Sequence, residues 1–271
     1  MASPSALACP ASLKGVLSAR EAAAALARGL GDCDQLPLAD GGEGTADVLP
    51  GVVEAASVIP FDPAHLDPFT SSRPFGELLA SLDGPLLIGL GGTANMDAGE
   101  GLLEVLDALP PATVLCDVQT TLYDAPRLFG PQKGATPAQV AELEARFRAN
   151  ERLAPFADLP GSGAAGGLGA ALASLGATLV PGAATVLDLL GFDASRYELV
   201  VTGEGRVDAT TAEGKVPAEV ARRCAVAGVR CVVFGGLVVE PLPGVEMVAL
   251  SGDPARAARD LEELGRSLRP S

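Results

Sequence analysis

Short apolar runs of strand type alternate with helical stretches along the whole chain, and four of the runs stop in loops rich in glycine and acid. Alternation of this kind marks a layered α/β architecture. The four junctions are 35–38 running into Asp40-Gly-Gly-Glu-Gly-Thr45, 85–90 into Gly91-Gly92-Thr93, 113–116 into Asp117, and 198–202 into Gly203-Glu-Gly-Arg206. In open α/β sheets, ligands bind beyond the carboxyl ends of the strands. Glycine there lets backbone N–H groups approach phosphate oxygens, and carboxylates there can hold Mg²⁺. A single loop of this type is an ordinary solvated turn as readily as a site. Four together point to a site.

The helices announce themselves at their starts. Ser18-Ala-Arg-Glu21 and Thr136-Pro-Ala-Gln139 are capping boxes, the second with proline at the first helical position. The first opens an Ala-rich helix that Gly29 and Gly31 close, and the second places Val140, Leu143 and Phe147 on one face. Residues 230–234 form a further strand. Asp253 and Pro254 open a last helix with Leu261, Leu264 and Leu268 as its apolar stripe.

At 271 residues the length favours two domains, and 48% hydrophobic residues suffice for two cores. A net charge of −15 argues against nucleic acid and anionic lipid as partners. Any anionic ligand must then meet a local cation or a metal. The apolar stretch 231–239 is too short to cross a bilayer, and the start lacks a basic n-region ahead of an apolar segment. These features predict a soluble cytoplasmic protein with no membrane association. A single histidine, His65, argues against a histidine triad or a multi-histidine metal site. Five cysteines without a C-x-x-C read as reduced, mostly buried thiols.

Of the nineteen basic residues only Lys14, Lys133 and Lys215 are lysine, and each adjoins a glycine. A chain that otherwise uses arginine keeps lysine where a compact ammonium can meet phosphate against tight backbone. Lys133, between Gln132 and Gly134, reads as a loop residue with little core to support. The stretch Gly161-Ser-Gly-Ala-Ala-Gly166 matches G-x-G-x-x-G but lacks a preceding strand, so a helix start packed tightly or aimed at a phosphate is favoured over a dinucleotide fingerprint. No Walker A sequence occurs.

Taken as a set, Asp40 to Thr45, Ile88-Gly-Leu-Gly-Gly-Thr93 with Asp97, Cys116-Asp117-Val118 and Phe129-Gly-Pro-Gln-Lys-Gly-Ala-Thr136 resemble the class I bacterial glycerate kinases. So do Gly161-Ser-Gly-Ala-Ala-Gly-Gly-Leu-Gly169 and Thr202-Gly-Glu-Gly-Arg-Val-Asp208 with Gly214-Lys215. The resemblance implies a Rossmann-like, flavodoxin-like parallel-sheet domain made of 1–45 and 192–271. It implies a second α/β domain, 46–191, inserted between those halves, with the active site in the cleft. The implied activity is ATP- and Mg²⁺-dependent phosphorylation of D-glycerate, to 2-phosphoglycerate rather than 3-phosphoglycerate, by a monomer or homodimer. The positions that carry over are Asp97, Asp117, Lys133 and Arg206 as catalytic residues. Lys14, Gly41, Gly42, Gly91, Gly92, Thr93, Gln132, Gly203 and Lys215 would bind substrate or phosphate. Asp40, Glu43, Glu204 and Asp208 are candidate metal ligands.

The chain departs from the family pattern at Ala11, where the family carries an acid, and at Gln119-Thr120-Thr121, where it carries D-N-P. It departs also at Thr93-Ala-Asn-Met-Asp-Ala-Gly99 and in a shortened 47–75 region. The short region predicts an incompletely covered site with reduced selectivity for glycerate. Rival readings are a non-catalytic paralogue that binds a small acid or nucleotide, a kinase of another hydroxy acid, and a nicotinamide oxidoreductase using Gly161 to Gly166.

Overall fold

The computed structural model describes residues 5–269. Its strands are β1 (Ala6–Ala8), β2 (Cys33–Gln35), β3 (Val52–Glu54), β4 (Leu86–Leu90), β5 (Ala112–Cys116), β6 (Thr178–Pro181), β7 (Leu199–Val207), β8 (Arg230–Val238) and β9 (Glu246–Ala249). Its helices are α1 (Ala19–Leu30), α2 (Thr45–Val48), α3 (Arg73–Ala80), α4 (Glu100–Leu103), α5 (Ala125–Phe129), α6 (Pro137–Ala149), α7 (Ala164–Ser174), α8 (Gly182–Leu189), α9 (Val216–Ala227) and α10 (Ala257–Leu268). Every strand pairing within the two sheets is parallel. The α/β class expected from the alternating pattern is the one that forms. Among the described residues no helix is long and apolar enough to cross a membrane.

The chain divides into two compact units. Unit 1 runs up to Asp40, takes in Asp47–Leu49 and resumes at Ala183. Its five-stranded sheet has the order β2-β1-β7-β8-β9, the doubly wound, flavodoxin-like arrangement. Side chains alternate across the sheet as the pleat requires. Ala6, Ala8, Leu199 and Val201 join α1 and α10 in one core, through Leu26, Leu30, Leu261 and Leu264. Leu7, Cys9 and Val200 face the other way, onto Leu187 of α8 and Val220 of α9. Helices α1 and α10 approach closely at Gly29 and Gly265, where a Cβ on Gly29 would lie 2.8 Å from the Gly265 Cα. The sequence placed the end of the inserted segment at 191, whereas unit 1 resumes earlier. Ala183 and Leu187 of α8 are core residues of the unit 1 sheet, and the helical pattern alone does not say which sheet it covers.

Unit 2 comprises Gly41–Ala46 and Pro50–Gly182. Its sheet has the order β3-β4-β5-β6. Ile88, Leu90, Val114 and Cys116 pack with Phe75, Leu79, Leu102, Phe147, Leu168 and Leu172 in one cluster. Both capping boxes form: Ser18 and Thr136 each accept from the backbone N–H three residues on, with Glu21 and Gln139 reaching back.

Two segments differ from the sequence expectation. Strand β7 does not stop at Thr202 but continues through Gly203, Glu204, Gly205 and Arg206, in register with Phe234 to Leu237 of β8. The glycines on both strands let the backbones stay paired where side chains would collide. The G-x-G-x-x-G stretch is buried throughout 161–170. Ala165, Gly166 and Gly167 take left-handed conformations inside α7. Their carbonyls hold the 95–98 loop, with Asn95 Nδ2 donating to Ala165 O at 2.9 Å and Ala98 N to Gly166 O at 3.0 Å. This block is packing, and a dinucleotide has no exposed backbone there to bind.

Candidate active site

Unit 2 gathers the loop after β4, the residue after β5, and the turn after α5. The last of these corrects the reading of Lys133 as a loop lysine with little core. The short 3₁₀ turn Pro131–Lys133 is closed by Lys133 N and Ala135 N, both donating to Gly130 O, and Gly134 reverses the chain in a left-handed conformation. This turn drives Lys133 inward, and it is only 6% exposed. Its Nζ donates to the main-chain oxygen of Asn95 at 2.8 Å. Burial pulls the ammonium down to about 8, while the carboxylates of Asp117 and Asp97 act to raise it. Gln132, beside it, is exposed.

Asp97 and Asp117, paired by the sequence as equivalent acids, have different surroundings. Asp97 is buried, and its carboxylate accepts five hydrogen bonds. Oδ2 takes Ser72 N and Ser72 Oγ, both at 2.7 Å, and Gly101 N at 3.2 Å. Oδ1 takes Asn95 Nδ2 and Gly99 N, both at 3.1 Å. A carboxylate offers about four lone-pair sites, so Asp97 is committed to holding the loop. These bonds engage both of its oxygens, and the structure gives Asp97 an organising place in the loop where a catalytic one was expected.

Asp117 is half-buried at the end of β5. Its carboxylate lies against the glycines of two loops: a Cβ on Gly91 would fall 2.5 Å from Asp117 Oδ2 and 2.8 Å from the Gly42 Cα. Gly91 has φ +148°, so glycine is needed there for conformation as well as space. Gly41 is likewise buried, against Leu115 of β5, and Gly92 adjoins the exposed Glu43. The neighbouring Cys116 thiol is pushed up to about 12, mainly by burial, which keeps it protonated and inert. Thr93 and Asn95 complete the group as buried residues.

Unit 1 holds a second cluster at the carboxyl ends of its strands. Glu204, half-buried on β7, accepts from Thr211 Oγ1 at 2.7 Å. Burial is the main cause that raises its carboxyl, opposed by the Thr211 hydrogen bond and by Lys215, and reinforced by Asp40 and Asp208. Asp208 caps the 3₁₀ turn Ala209–Glu213: Oδ1 accepts from Thr210 N at 3.1 Å and Thr210 Oγ1 at 2.7 Å, and Oδ2 from Arg206 Nε at 3.1 Å. The Thr210 side-chain bond leads the causes that hold this carboxyl below the usual range. Lys215 sits at the N-cap position of α9. Lys14 is exposed on the Leu13–Leu17 turn, with its backbone N beside Gly205. Gly203, expected to bind phosphate, is instead a buried strand residue pressed against Phe234. The four proposed metal ligands do not form a ligand set. Among the described residues no three His, Cys, Asp or Glu side chains converge on a common point.

The model of the glycerate kinase family matches residues 6–60 and 110–252. The chain belongs to the glycerate kinase family. Its relatives include glycerate 2-kinase of Escherichia coli K12, 32% identical over 78% of this chain and 80% of that one. Another is glycerate kinase of Bacillus subtilis 168, 31% identical over 79% and 80%. A crystal structure from Salmonella typhimurium LT2, described as a candidate glycerate kinase 2, superposes with a TM-score of 0.74 at 28% identity, covering 97% of this chain and 96% of that one. The family match omits 61–109, the stretch that carries Ser72, Thr93, Asn95 and Asp97. The assignment of those residues to the site of this glycerate kinase family member therefore rests on geometry. Ser72 and Asn95 went unnoticed in the sequence. Asn95 had a signal, its place in the loop after β4, but Ser72 lies 25 residues from its partner and had none.

Proposed function

We propose that this member of a kinase family catalyses MgATP-dependent phosphorylation of D-glycerate at its 2-hydroxyl, yielding 2-phosphoglycerate and ADP. The observation that carries the reading is Lys133, a buried ammonium held by the Asn95 carbonyl of the loop after β4 and acted on by the carboxylates of Asp117 and Asp97. Phosphoryl transfer is mostly positioning and charge neutralisation. A cation held away from water acts on an anionic group far more strongly than one in solvent. Asp117 is the carboxylate with the position for a general base. The hydroxyl oxygen attacks the γ-phosphorus, its proton passes to Asp117, and the bond from the γ-phosphorus to the bridging oxygen breaks, releasing ADP. Lys133 meets the carboxylate of glycerate or the transferring phosphoryl group.

Magnesium, when bound with the nucleotide, neutralises charge on the phosphate oxygens. Asp40 and Glu204 would hold it. The carboxyl of Glu204 is raised by burial and by its acidic neighbours, a surrounding that a divalent cation relieves. Fewer than three protein ligands suit Mg²⁺, which keeps waters and phosphate oxygens in its shell. Lys14, Lys215 and Arg206 supply the cations of unit 1. The choice of the 2-hydroxyl is supported by the name of the E. coli relative, glycerate 2-kinase. The test is coupled ADP release against a panel of small hydroxy acids, with ³¹P NMR of the product. ADP release with D-glycerate and a 2-phosphoglycerate resonance is the expected result. Formation of 3-phosphoglycerate would overturn the assignment of the hydroxyl, and no ADP release with any acid would overturn the kinase reading.

A further inference from the structure

Two buried side-chain oxygens of the loop after β4 have no hydrogen-bond partner. They are Thr93 Oγ1, on a residue 3% exposed, and Asn95 Oδ1, on a residue with no exposed surface. Turning the Asn95 amide does not cure the second. Its Nδ2 already donates to Asp97 Oδ1 at 3.1 Å and Ala165 O at 2.9 Å. Both partners are acceptors, and the turned amide would present oxygen to oxygen. The same residue's main-chain oxygen holds the Lys133 ammonium at 2.8 Å, using one of its three N–H donors. A folded protein normally satisfies such groups, and exceptions ask for a cause.

The chemistry of the two oxygens narrows what can satisfy them. Asn95 Oδ1 only accepts, so the oxygens of a carboxylate or of a fully ionised phosphate ester, which carry no hydrogen, leave it unmet. A hydroxyl meets it. Thr93 Oγ1 both donates and accepts, and so suits a carboxylate oxygen or a second hydroxyl. From this we infer that Thr93 and Asn95 recognise the acceptor, with Asn95 Oδ1 accepting a hydrogen bond from the hydroxyl that stays unphosphorylated and Thr93 Oγ1 donating to the oxygen beside it. The inference rests on the glycerate kinase reading above and extends it to specificity. The substrate class is a small acid with two hydroxyls, and an acid with one is rejected. Sites built to bond a substrate hydroxyl discriminate strongly against analogues that lack it, because their own buried group then stays unpaired.

The experiment compares glycerate with lactate, which keeps the 2-hydroxyl and lacks the 3-hydroxyl, in the wild type, Thr93→Val and Asn95→Leu. It records ADP-release kinetics and the melting temperature of the unliganded protein. Wild type is expected to favour glycerate at least 100-fold in kcat/KM. Asn95→Leu should collapse that ratio towards one, with the loss falling on glycerate. Asn95→Leu also removes two bonds of the loop, so Thr93→Val decides if that variant does not fold. Thr93→Val removes the unpartnered hydroxyl at constant shape. It should raise the melting temperature of the unliganded protein while raising KM for glycerate about tenfold at nearly constant kcat. A lowered melting temperature with unchanged KM would mean that these oxygens serve the fold alone, for instance through a trapped water, and would overturn the inference while leaving the kinase reading intact. A wild type that releases no ADP with glycerate would overturn both.

Discussion

Replacing Lys133 with methionine separates what this residue does for the fold from what it does for the reaction. Methionine keeps an unbranched stem and removes the charge. The fall of the ammonium from 10.5 to about 8, at roughly 1.4 kcal/mol per pH unit, corresponds to about 3 kcal/mol spent on burying the charged form. The substitution relieves that cost but leaves the Asn95 carbonyl without its donor, worth roughly 1–3 kcal/mol. The two nearly cancel, so at pH 7 the variant should lie within about 2 kcal/mol of wild type. The pH dependence carries the sign. Below about pH 8 the amine is charged in both folded and unfolded chains, and the full cost is present. Between about 8 and 10.5 the unfolded chain holds more protons than the folded one, so wild-type stability rises with pH. Relative to the methionine variant it should gain up to about 3 kcal/mol over that window. Urea unfolding of both proteins at pH 7, 8.5 and 10 measures this. In the kinase assay, loss of a cation facing the transferring group should cost about 2–4 kcal/mol, or 30- to 1,000-fold in kcat/KM. Wild-type activity should decline above about pH 8 as the amine loses its proton. A wild-type minus variant stability difference that stays flat from pH 7 to 10 would refute the burial argument. Undiminished kcat/KM would remove Lys133 from the site.

The two aspartates should respond in different ways. Asp97→Asn puts an amide NH₂ among five donors, and we expect roughly 2–5 kcal/mol lost in urea unfolding, with activity lost as a consequence; unchanged stability would show that the five bonds are weak. Asp117→Asn should leave unfolding within about 1 kcal/mol of wild type while lowering turnover at least 100-fold across a Mg²⁺ titration; normal turnover would remove Asp117 as the base. Within the shortened 47–75 region, residues 60–69 are exposed except at Pro68 and carry Phe61, Leu66 and Phe69 on the surface, which leaves little chain there to cover a reacting phosphoryl group. ATP hydrolysis without acceptor should therefore exceed that of a relative with a longer segment there, measured alongside; equal background rates would show that water is excluded by other means.

Much of the architecture was legible because its signals are local. Ser18 and Thr136 cap helices through bonds that span three residues, and any chain with those residues in that order has the same option. The runs at β4 and β5 are apolar at nearly every position, which only a strand buried on both faces tolerates. The loops after β4 and β5 were visible as glycine and acid at strand ends, and the structure does bring Gly91, Gly42 and Asp117 together. What the sequence left open were choices of partner between distant segments. Thr202 looked like the end of a strand, yet β7 continues because Gly203 has no side chain to strike Phe234 of β8 and Gly236 of β8 has none to strike the backbone of Gly205. Asp97 and Asp117 are the same residue type in similar loops. Only the arrival of Ser72 and Asn95 at Asp97 ties one carboxylate into its loop, while the other lies against the glycines of two loops. Lys133 looked exposed because a lysine between glutamine and glycine usually is. The turn closed on Gly130 O points it inward, and the Asn95 carbonyl receives it there. Charge and residue type are written in the sequence, but whether a charged group keeps its water depends on what packs over it, and that is decided by the tertiary structure.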